Sequence, residues 1–210
     1  MIGIVDYGMG NLRSVEKAFE KAGSPAVVLQ EPDRFGDCSG LVLPGVGAFG
    51  RAVDNLTRAG MKRAVLDHLA AGKPFLGICL GLQLLFSESE ENFGQDSVPG
   101  LGIVPGRVRR FGPDLKVPQI GWNQIHAVKN DPLLAGIPDK CYVYFVHSYY
   151  VEPTDADWVL TTTDYGPDFV SSVSKGPVWG IQFHPEKSSD IGLTILRNFG
   201  AIVDDYHPGS

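Results

Sequence analysis

The chain has 210 residues, of which 43% are hydrophobic and 20% are charged, and its net charge at pH 7 is −6. This length fits a single domain over residues 1–210, and the apolar share is enough for a sizeable core. The sequence contains neither a run of Lys or Arg that would bind nucleic acid nor an apolar stretch long enough to span a membrane. Its three cysteines form no C-x-x-C pair, which argues against a disulfide framework and a metal site, and we expect no cofactor. The N-terminus lacks a signal-peptide pattern, so we expect a cytoplasmic protein.

The first half of the chain alternates strand-like and helix-like segments. Strands are predicted at Ile2–Asp6, Ala26–Leu29, Gly40–Leu43 and Phe75–Ile78. Helices are predicted at Leu12–Ala22, Arg51–Leu56, Met61–Ala71 and Leu80–Glu88. Because the strands are continuous apolar runs separated by helices, we expect a mostly parallel central sheet with helices on both faces.

The second half is rich in strands separated by Gly, Pro and Asp. Strands are predicted at Ile103–Phe111, Gly121–Val128, Cys141–Val151, Trp158–Thr163, Phe169–Ser174 and Val178–Phe183. A hairpin is predicted at residues 174–177, and a closing helix near Ile191–Ile202. The predicted fold class is therefore α/β, with antiparallel strands added by the second half of the chain.

Cys79 lies in the segment Gly77-Ile78-Cys79-Leu80-Gly81, between an apolar strand and a predicted helix. This G-x-C-x-G pattern is the thiol version of the strand-turn-helix elbow that presents a nucleophile. The flanking glycines suit a sharp turn in which the backbone of the central residue is strained. The pattern predicts that Cys79 is a nucleophile, whereas Cys38 and Cys141 lack such a setting and are expected to be structural.

A candidate base and its carboxylate follow about a hundred residues later, in His184-Pro185-Glu186. In an extended backbone, residues i and i+2 point to the same side, so His184 and Glu186 are expected to lie together. Glu186 would hold the imidazole in the tautomer that accepts the thiol proton. Four other histidines compete for the role of base, but none is followed two residues later by a carboxylate: His68, His126, His147 and His207.

The segment Leu43-Pro44-Gly45-Val46-Gly47 ends a predicted buried strand. A tetrahedral oxyanion needs backbone N–H groups directed at it, and a Gly-x-Gly turn can direct one inward. The N–H of Leu80, which follows the nucleophile, is the expected second donor. By itself this segment is better explained as a plain β-turn, but because the same chain contains the Cys79 elbow we favour an oxyanion loop.

Together these segments resemble the class I, or triad, glutamine amidotransferases. The resemblance covers essentially the whole chain and includes the opening D-Y-G-M-G-N, P-G-V-G-A-F, the elbow, P-Q-I-G-W-N and H-P-E-K. The elbow and the H-P-E segment are shared by the superfamily. The opening segment, the P-G-V-G-A-F loop and the P-Q-I-G-W-N stretch indicate one branch of the family, in which the glutaminase is a separate subunit.

The resemblance implies roles for individual residues. It assigns the triad to Cys79, His184 and Glu186, and the oxyanion site to Gly45, Val46 and Leu80. It assigns glutamine binding to Gly47, Gln83, Glu91, Ser148 and Tyr149. It places the docking face for a partner at Asn11, Trp122, Asn123 and Lys187. The implied partner is a cyclase subunit with a (β/α)8 barrel that receives ammonia through an interior passage and stimulates the glutaminase.

Three other interpretations stay open from the residues alone. The chain could be a glutaminase that serves another synthase, such as the anthranilate or pyridoxal phosphate systems, although the P-G-V-G-A-F loop argues against this. It could be an elbow-type cysteine peptidase or deglycase, which would act on a different substrate through the same thiol. It could also be a catalytically silent interaction subunit, which the complete set of Cys79, His184 and Glu186 makes a poor explanation.

Overall fold

The computed structural model describes residues 1–91 and 97–207, so residues 92–96 and 208–210 of the predicted domain lie outside the described ranges. The strands of the first half are β1 (Ile2–Val5), β2 (Ala26–Leu29), β3 (Gly40–Gly45), β4 (Phe75–Cys79), β5 (Phe86–Ser89) and β6 (Val98–Pro99). Those of the second half are β7 (Val104–Arg110), β8 (Gln119–Ala127), β9 (Cys141–His147), β10 (Tyr149–Pro153), β11 (Val159–Asp164), β12 (Asp168–Lys175) and β13 (Val178–Ile181). The helices are α1 (Leu12–Ala22), α2 (Phe49–Arg58), α3 (Met61–Ala70), α4 (Leu80–Leu84) and α5 (Ser189–Asp204).

The strands form one mixed sheet whose central order is β2-β1-β3-β4-β13-β12-β10-β7-β5-β6. The first five of these strands run parallel, and the antiparallel hairpin from β12 to β13 joins the parallel half to the rest. A branch adds β11, β8 and β9 through antiparallel pairing with β12. The predicted α/β fold class, with a mostly parallel centre and later antiparallel strands, is confirmed.

Two hydrophobic clusters cover the two faces of the parallel half. On one face α1 and α5 pack together, and the rings of Phe19 and Phe199 meet edge to face with centroids 6.3 Å apart. On the other face, α2, α3 and α4 cover side chains that include Leu43 and Phe75. Each fully buried Phe or Leu side chain contributes about 1.5–3 kcal/mol relative to exposure, so these two layers hold the strand ends in place.

The structure corrects the predicted helix Leu80–Glu88, because α4 ends at Leu84 and β5 begins at Phe86. The apolar run after the elbow suits a helix locally, but Phe86 pairs with Val104 of β7 instead and is fully buried. The amides of residues 100–104 also bind the carbonyls of residues 84–87. Long-range pairing therefore overrides the local helical preference at this point.

Two smaller boundaries also differ from the predictions. β3 continues to Gly45, whereas the sequence placed its end at Leu43, because Gly45 still aligns with Cys79 of β4. The predicted strand Cys141–Val151 is divided at Ser148 into β9 and β10, which pair with different neighbours. Within the described ranges, no helix combines the length and the hydropathy needed to cross a bilayer.

Candidate active site

The candidate site lies where parallel strands of the sheet end. β3 and β4 run side by side, with Gly45 in register with Cys79, and β13 lies on the other side of β4 with Ile181 in register with Ile78. Since His184 follows β13 closely, the topology brings it next to the last residue of β4. The carboxyl edge of an open parallel sheet is where ligands bind in α/β proteins.

The elbow has the strained geometry that the glycine pattern predicted. Cys79 has φ 55° and ψ −108°, values that L residues rarely adopt and that cost on the order of 1–3 kcal/mol. A Cβ on Gly77 would lie 2.6 Å from the carbonyl oxygen of Gly81, and a Cβ on Gly81 would lie 1.7 Å from that of Leu43. The turn from β4 into α4 is therefore possible only with glycine at both positions.

His184 and Glu186 are brought together as predicted, but by a different backbone. Residues Pro185–Lys187 form a single 3-10 turn with His184 at its start, whereas the sequence suggested an extended strand. His184 Nδ1 lies 2.8 Å from Glu186 Oε1, and both side chains are buried. Ser188 stabilises this turn by donating its hydroxyl to the carbonyl of His184. The contact between His184 and Glu186 is therefore formed within a single 3-10 turn and not, as the sequence suggested, along an extended strand.

The protonated form of His184 is favoured by its surroundings. Burial alone would lower the pKa of His184, but Cys79 and Glu186 outweigh burial and raise that pKa to about 10. His184 Nε2 has no partner with normal hydrogen-bond geometry among the described residues. This nitrogen is the one available for proton transfer, because Nδ1 is occupied by the carboxylate.

A cavity of about 270 Å³ opens beside the nucleophile. Its wall is formed by Val46, Gly47, Cys79, Leu80, Gln83, Glu91, Pro118, Val146, His147, Ser148 and Tyr149. The wall includes all five residues assigned to glutamine binding in the sequence, together with two of the three assigned to the oxyanion site. The volume lies just below the range of about 300–1,000 Å³ for larger ligands and suits a molecule of amino-acid size.

Two of the cavity residues are held by specific hydrogen bonds. The Gln83 side-chain nitrogen donates to the carbonyl of Tyr149 at 3.1 Å. Glu91 Oε2 accepts the backbone N–H of Phe49, the first residue of α2, at 2.8 Å. A carboxylate at a helix N-terminus is stabilised there, so Glu91 places negative charge at the cavity wall.

The predicted oxyanion loop fits tightly around its glycines. A Cβ on Gly45 would lie 2.3 Å from the hydroxyl oxygen of Tyr7, which itself donates to the carbonyl of Pro44 at 3.0 Å. Burial, aided by the charge of Cys79, raises the pKa of Tyr7, so this hydroxyl stays protonated as a donor. Gly47 has φ +100°, a conformation that favours glycine. Leu80 is the first residue of α4, where backbone N–H groups have no partner within the helix.

Of the competing residues, Cys38, Cys141 and His68 lie outside the cavity wall. Burial raises the pKa of the thiols of Cys38 and Cys141, so both favour the unreactive protonated form. His68 packs beneath Pro74, to whose carbonyl its Nε2 lies at 3.1 Å. His147 does line the cavity, although the sequence did not assign it to the site. Its ring is buried, and burial lowers its pKa to about 4.

The residues assigned to a docking face divide into exposed and internally bonded ones. Trp122 is 50% exposed and meets the ring of Tyr144 edge to face, and Lys187 Nζ lies 5.7 Å from the centroid of the same tyrosine ring. Asn123 points to the opposite face of β8, where its Nδ2 donates to the carbonyl of Asp164 at 2.7 Å. Its Oδ1 also accepts a backbone N–H, so the amide of Asn123 is used within the chain.

Asn11, the fourth residue assigned to the docking face, is exposed at the start of α1, where its side chain accepts the N–H of Ser14.

Sequence reasoning missed Gln182, Pro118 and Val146 around the nucleophile. Gln182 interrupts the apolar strand before His184, and a polar residue in such a run signals a buried hydrogen bond. Pro118 and Val146 carry no comparable signal, because only the pairing of β8 with β9 brings them to the cavity.

Comparison with known proteins matches nearly the whole chain to one family. Residues 3–202 match the model of the family described as glutamine amidotransferase class-I. The chain is 54% identical over 207 residues to imidazole glycerol phosphate synthase subunit HisH of Syntrophotalea carbinolica, an alignment that covers 95% of this chain and 99% of the relative. It is 50% identical over 203 residues to the HisH subunit of Methanothermobacter thermautotrophicus, covering 97% of this chain and 99% of the relative.

Solved structures share the fold at lower identity. A structure described as glutamine amidotransferase superposes with a TM-score of 0.75 at 20% identity, covering 97% of this chain and 98% of the other. A putative GMP synthase subunit from Thermoplasma acidophilum superposes with a TM-score of 0.72 at 22% identity, covering 98% of this chain and 94% of the other. The family match over nearly the whole length, together with relatives at about half identity, shows that the chain belongs to the class-I glutamine amidotransferases.

Proposed function

We propose that this chain is the glutaminase subunit of an imidazole glycerol phosphate synthase and that Cys79, His184 and Glu186 form its triad. The observation that carries the assignment is a strained cysteine at the floor of an amino-acid-sized cavity, beside a buried histidine that is bonded to a carboxylate. The names of the HisH relatives support the choice of synthase. They weigh against the anthranilate and pyridoxal phosphate systems and against a peptidase.

The reaction follows from these groups. The Cys79 sulfur attacks the side-chain carbonyl carbon of glutamine while its proton resides on His184. Protonated His184 then gives that proton to the departing nitrogen, so ammonia leaves and a glutamyl thioester remains. Water, deprotonated by His184, attacks the thioester and releases glutamate, and the thiolate leaves to restore the starting state. Glu186 keeps His184 oriented and stabilises its cationic form throughout.

Substrate binding is proposed for the residues of the cavity wall. Glu91 would pair with the ammonium group of glutamine, because it lines the cavity and its Oε2 is fixed by the amide of Phe49, while its Oε1 accepts no hydrogen bond from residues 1–91 and 97–207. Gln83, Ser148, Tyr149 and Gly47 would complete the contacts with the rest of the substrate. Oxyanion stabilisation is proposed for the backbone N–H groups around Gly45, Val46 and Leu80.

The proposed partner is a cyclase subunit with a (β/α)8 barrel, which would take the ammonia through an interior channel. The assembled heterodimer would act as a lyase of histidine biosynthesis that makes imidazole glycerol phosphate and AICAR. Ammonia released into water would become ammonium and lose its nucleophilicity, which is why a protected passage is needed. We propose docking through Asn11, Trp122 and Lys187, with Asn123 supporting β8 through its internal bonds. A cytoplasmic location stays a prediction.

Allosteric stimulation has a short structural route. Tyr144 lies on the exposed face beside Trp122, and its backbone carbonyl accepts the N–H of His184 at 2.9 Å. The backbone N–H of Tyr144 binds Ser188, whose hydroxyl holds the carbonyl of His184. A partner that moves β9 would therefore move the base directly, in addition to any change in the oxyanion loop.

The deciding experiment is glutamate release from glutamine by the purified chain, alone and with a candidate cyclase plus its nucleotide ligand. We expect low activity alone and strong stimulation by the liganded cyclase. Cys79→Ala is expected to abolish hydrolysis in both states, while Cys141→Ala, a buried cysteine in β9, is expected to retain it. Hydrolysis by Cys79→Ala would refute the assignment of the nucleophile, and maximal activity of the isolated chain would refute the coupling.

A further inference from the structure

A buried carboxamide lies directly against the reactive sulfur. Gln182 follows β13, is fully buried, and places its Nε2 3.6 Å from Cys79 Sγ, a normal length for an N–H···S hydrogen bond. We propose that Gln182 is a further catalytic residue, whose amide N–H holds the Cys79 sulfur and stabilises it while it carries negative charge. This inference rests on the proposed function only in that Cys79 is the nucleophile.

The orientation of the Gln182 amide follows from its neighbours. The Tyr149 carbonyl can only accept, so the Gln83 amide must turn its nitrogen towards it, at 3.1 Å. The same nitrogen lies 3.1 Å from Gln182 Oε1, and an NH2 group facing Gln182 requires an acceptor there. Gln182 therefore directs its oxygen at Gln83 and its nitrogen at Cys79, and the reversed amide would set two NH2 groups against each other.

The hydrogen bonds that run from Cys79 through Gln182 and Gln83 end at the carbonyl of Tyr149, which is held in the core. The Tyr149 carbonyl also accepts from His147 Nδ1, which lies at 2.7 Å. His147 is buried among the rings of Phe111, Phe145 and Phe169. Within residues 1–91 and 97–207, the side-chain amides of Gln83 and Gln182 bond only Tyr149, each other and Cys79, so the donor at the sulfur is in place before substrate arrives.

The donor acts from the interior and does not compete with substrate. Gln182 is absent from the cavity wall, whereas Cys79 forms part of it, so the amide approaches the sulfur from the protein side. The carbonyl of Val146, 3.9 Å from the sulfur, can accept a hydrogen bond from the thiol but cannot stabilise a thiolate. An N–H donor does the reverse and favours the charged form. It would act before the attack and again when the thioester breaks and the thiolate leaves.

Two nearly isosteric variants test the donor. Gln182→Met removes both hydrogen bonds, whereas Gln182→Glu retains an acceptor for Gln83 and removes the N–H at the sulfur. The rate of Cys79 alkylation by iodoacetamide, followed by peptide mass spectrometry from pH 5 to 10, reports the thiolate without any glutaminase activity. In both variants we expect the midpoint of the alkylation rate against pH to lie about one pH unit higher than in the wild type. In the complex with the liganded cyclase, we expect kcat for glutamine to fall about tenfold or more with little change in KM.

Gln30→Met serves as the control, because Gln30 is exposed and its side chain bonds only Asp6 among the residues that the structure describes. Unchanged alkylation profiles in both Gln182 variants would overturn the proposal, as would a rise in KM alone, which would mean that Gln182 acts only by positioning Gln83. If the variants do not fold, the side-chain N–H resonances of Gln182 in the wild-type chain decide. They should shift with pH as the thiol ionises and stay constant in Cys79→Ala, and a pH-independent signal in the wild type would overturn the proposal. Glutamine hydrolysis by Cys79→Ala would instead refute the proposed function.

Discussion

His184 Nδ1 and Glu186 Oε1 lie 2.8 Å apart, and both side chains are removed from solvent. Burying this pair carries a desolvation cost that only a well-formed hydrogen bond can offset. The second carboxylate oxygen, Oε2, has no hydrogen-bond partner within residues 1–91 and 97–207. The orientation of the base therefore depends on one bond, formed across a single 3-10 turn.

Glu186→Gln is expected to lower kcat for glutamine hydrolysis by about 10²-fold or more. The amide cannot stabilise the imidazolium, and its NH2 group favours the tautomer that carries the proton on Nε2. Steady-state glutamate release at saturating glutamine, with the partner present, measures the effect. Glu31→Gln is the matched control, because Glu31 is exposed and its side chain caps no backbone N–H. A Glu186→Gln enzyme with near-normal kcat would show that the carboxylate does not orient the base.

The raised pKa of His184 predicts how stability depends on alkaline pH. The pKa is about 10 in the folded chain against an ordinary value of 6.5, so the folded state binds the proton more tightly. The resulting stabilisation is complete below pH 6.5 and is lost as the pH rises towards 10. The free energy of unfolding of the wild type should therefore fall faster over this window than that of His184→Gln. Urea titrations at a series of pH values measure both proteins. If the two plots of unfolding free energy against pH run parallel, His184 is not held as a cation in the folded chain.

The lowered pKa of His68 predicts that the free energy of unfolding falls at acidic pH, the opposite direction to the effect of His184. Burial, as the largest effect, lowers the pKa of His68 to about 4, so the folded chain resists its protonation. Stability is then complete above pH 6.5 and is lost as the pH falls towards 4. His68→Gln can keep a donor to the carbonyl of Pro74 but cannot titrate. Between pH 7.5 and 4.5 we expect this variant to lose about 2 kcal/mol less free energy of unfolding than the wild type. Glutaminase activity serves as the control and should not change.

Gly81→Ala tests the backbone approach that forms the elbow. The new Cβ would lie 1.7 Å from the carbonyl oxygen of Leu43, a backbone atom that cannot move without displacing β3. We expect a loss of at least about 3 kcal/mol, or a fall in Tm of roughly 6–12 °C. Gly112→Ala is the control, because a Cβ there meets no atom of the described residues within 4 Å and its φ is not positive. Calorimetry that showed equal Tm values for the two variants would contradict the packing argument.

Local sequence signals were sufficient wherever structure depends on neighbouring residues. The bounds of α1 match the prediction because apolar residues recur with helical spacing and Gly23 ends the helix in a left-handed conformation. The elbow was found because the glycines around Cys79 have a steric purpose. The His184–Glu186 contact was predicted correctly, although the reason was wrong, since a 3-10 turn and an extended strand both bring these two side chains together.

Signals that depend on distant residues were not available from the sequence. The end of α4 is decided by pairing between Phe86 and Val104, which no local period reveals. Gln182 lies close to Cys79 only because β13 aligns with β4, although the two residues are far apart in the chain. The direction of Asn123 depends on the carbonyl of Asp164 on a neighbouring strand. In each case the structure was decided by a long-range contact in the sheet.

The exposed face around Trp122 is expected to control partner binding without forming the site. Trp122 is half exposed, and it adjoins Ile120, which is 62% exposed, and the ring of Tyr144. A large aromatic side chain at such a position is typical of a residue that dominates a protein interface. Trp122→Ala should weaken binding of the cyclase by roughly 30-fold or more, which corresponds to about 2 kcal/mol. Titration calorimetry or fluorescence anisotropy measures this affinity.

Basal glutaminase activity of Trp122→Ala should equal that of the wild type, because the indole does not line the cavity. Stimulation should return when the cyclase is added at concentrations above the weakened Kd, since the route from Tyr144 to His184 is intact. Val27→Ala is the control, because Val27 is another exposed apolar residue, on the outer strand β2. If Trp122→Ala binds the cyclase normally but is no longer stimulated, the indole transmits the signal and does not anchor the partner. If affinity and stimulation are both normal, the docking face lies elsewhere.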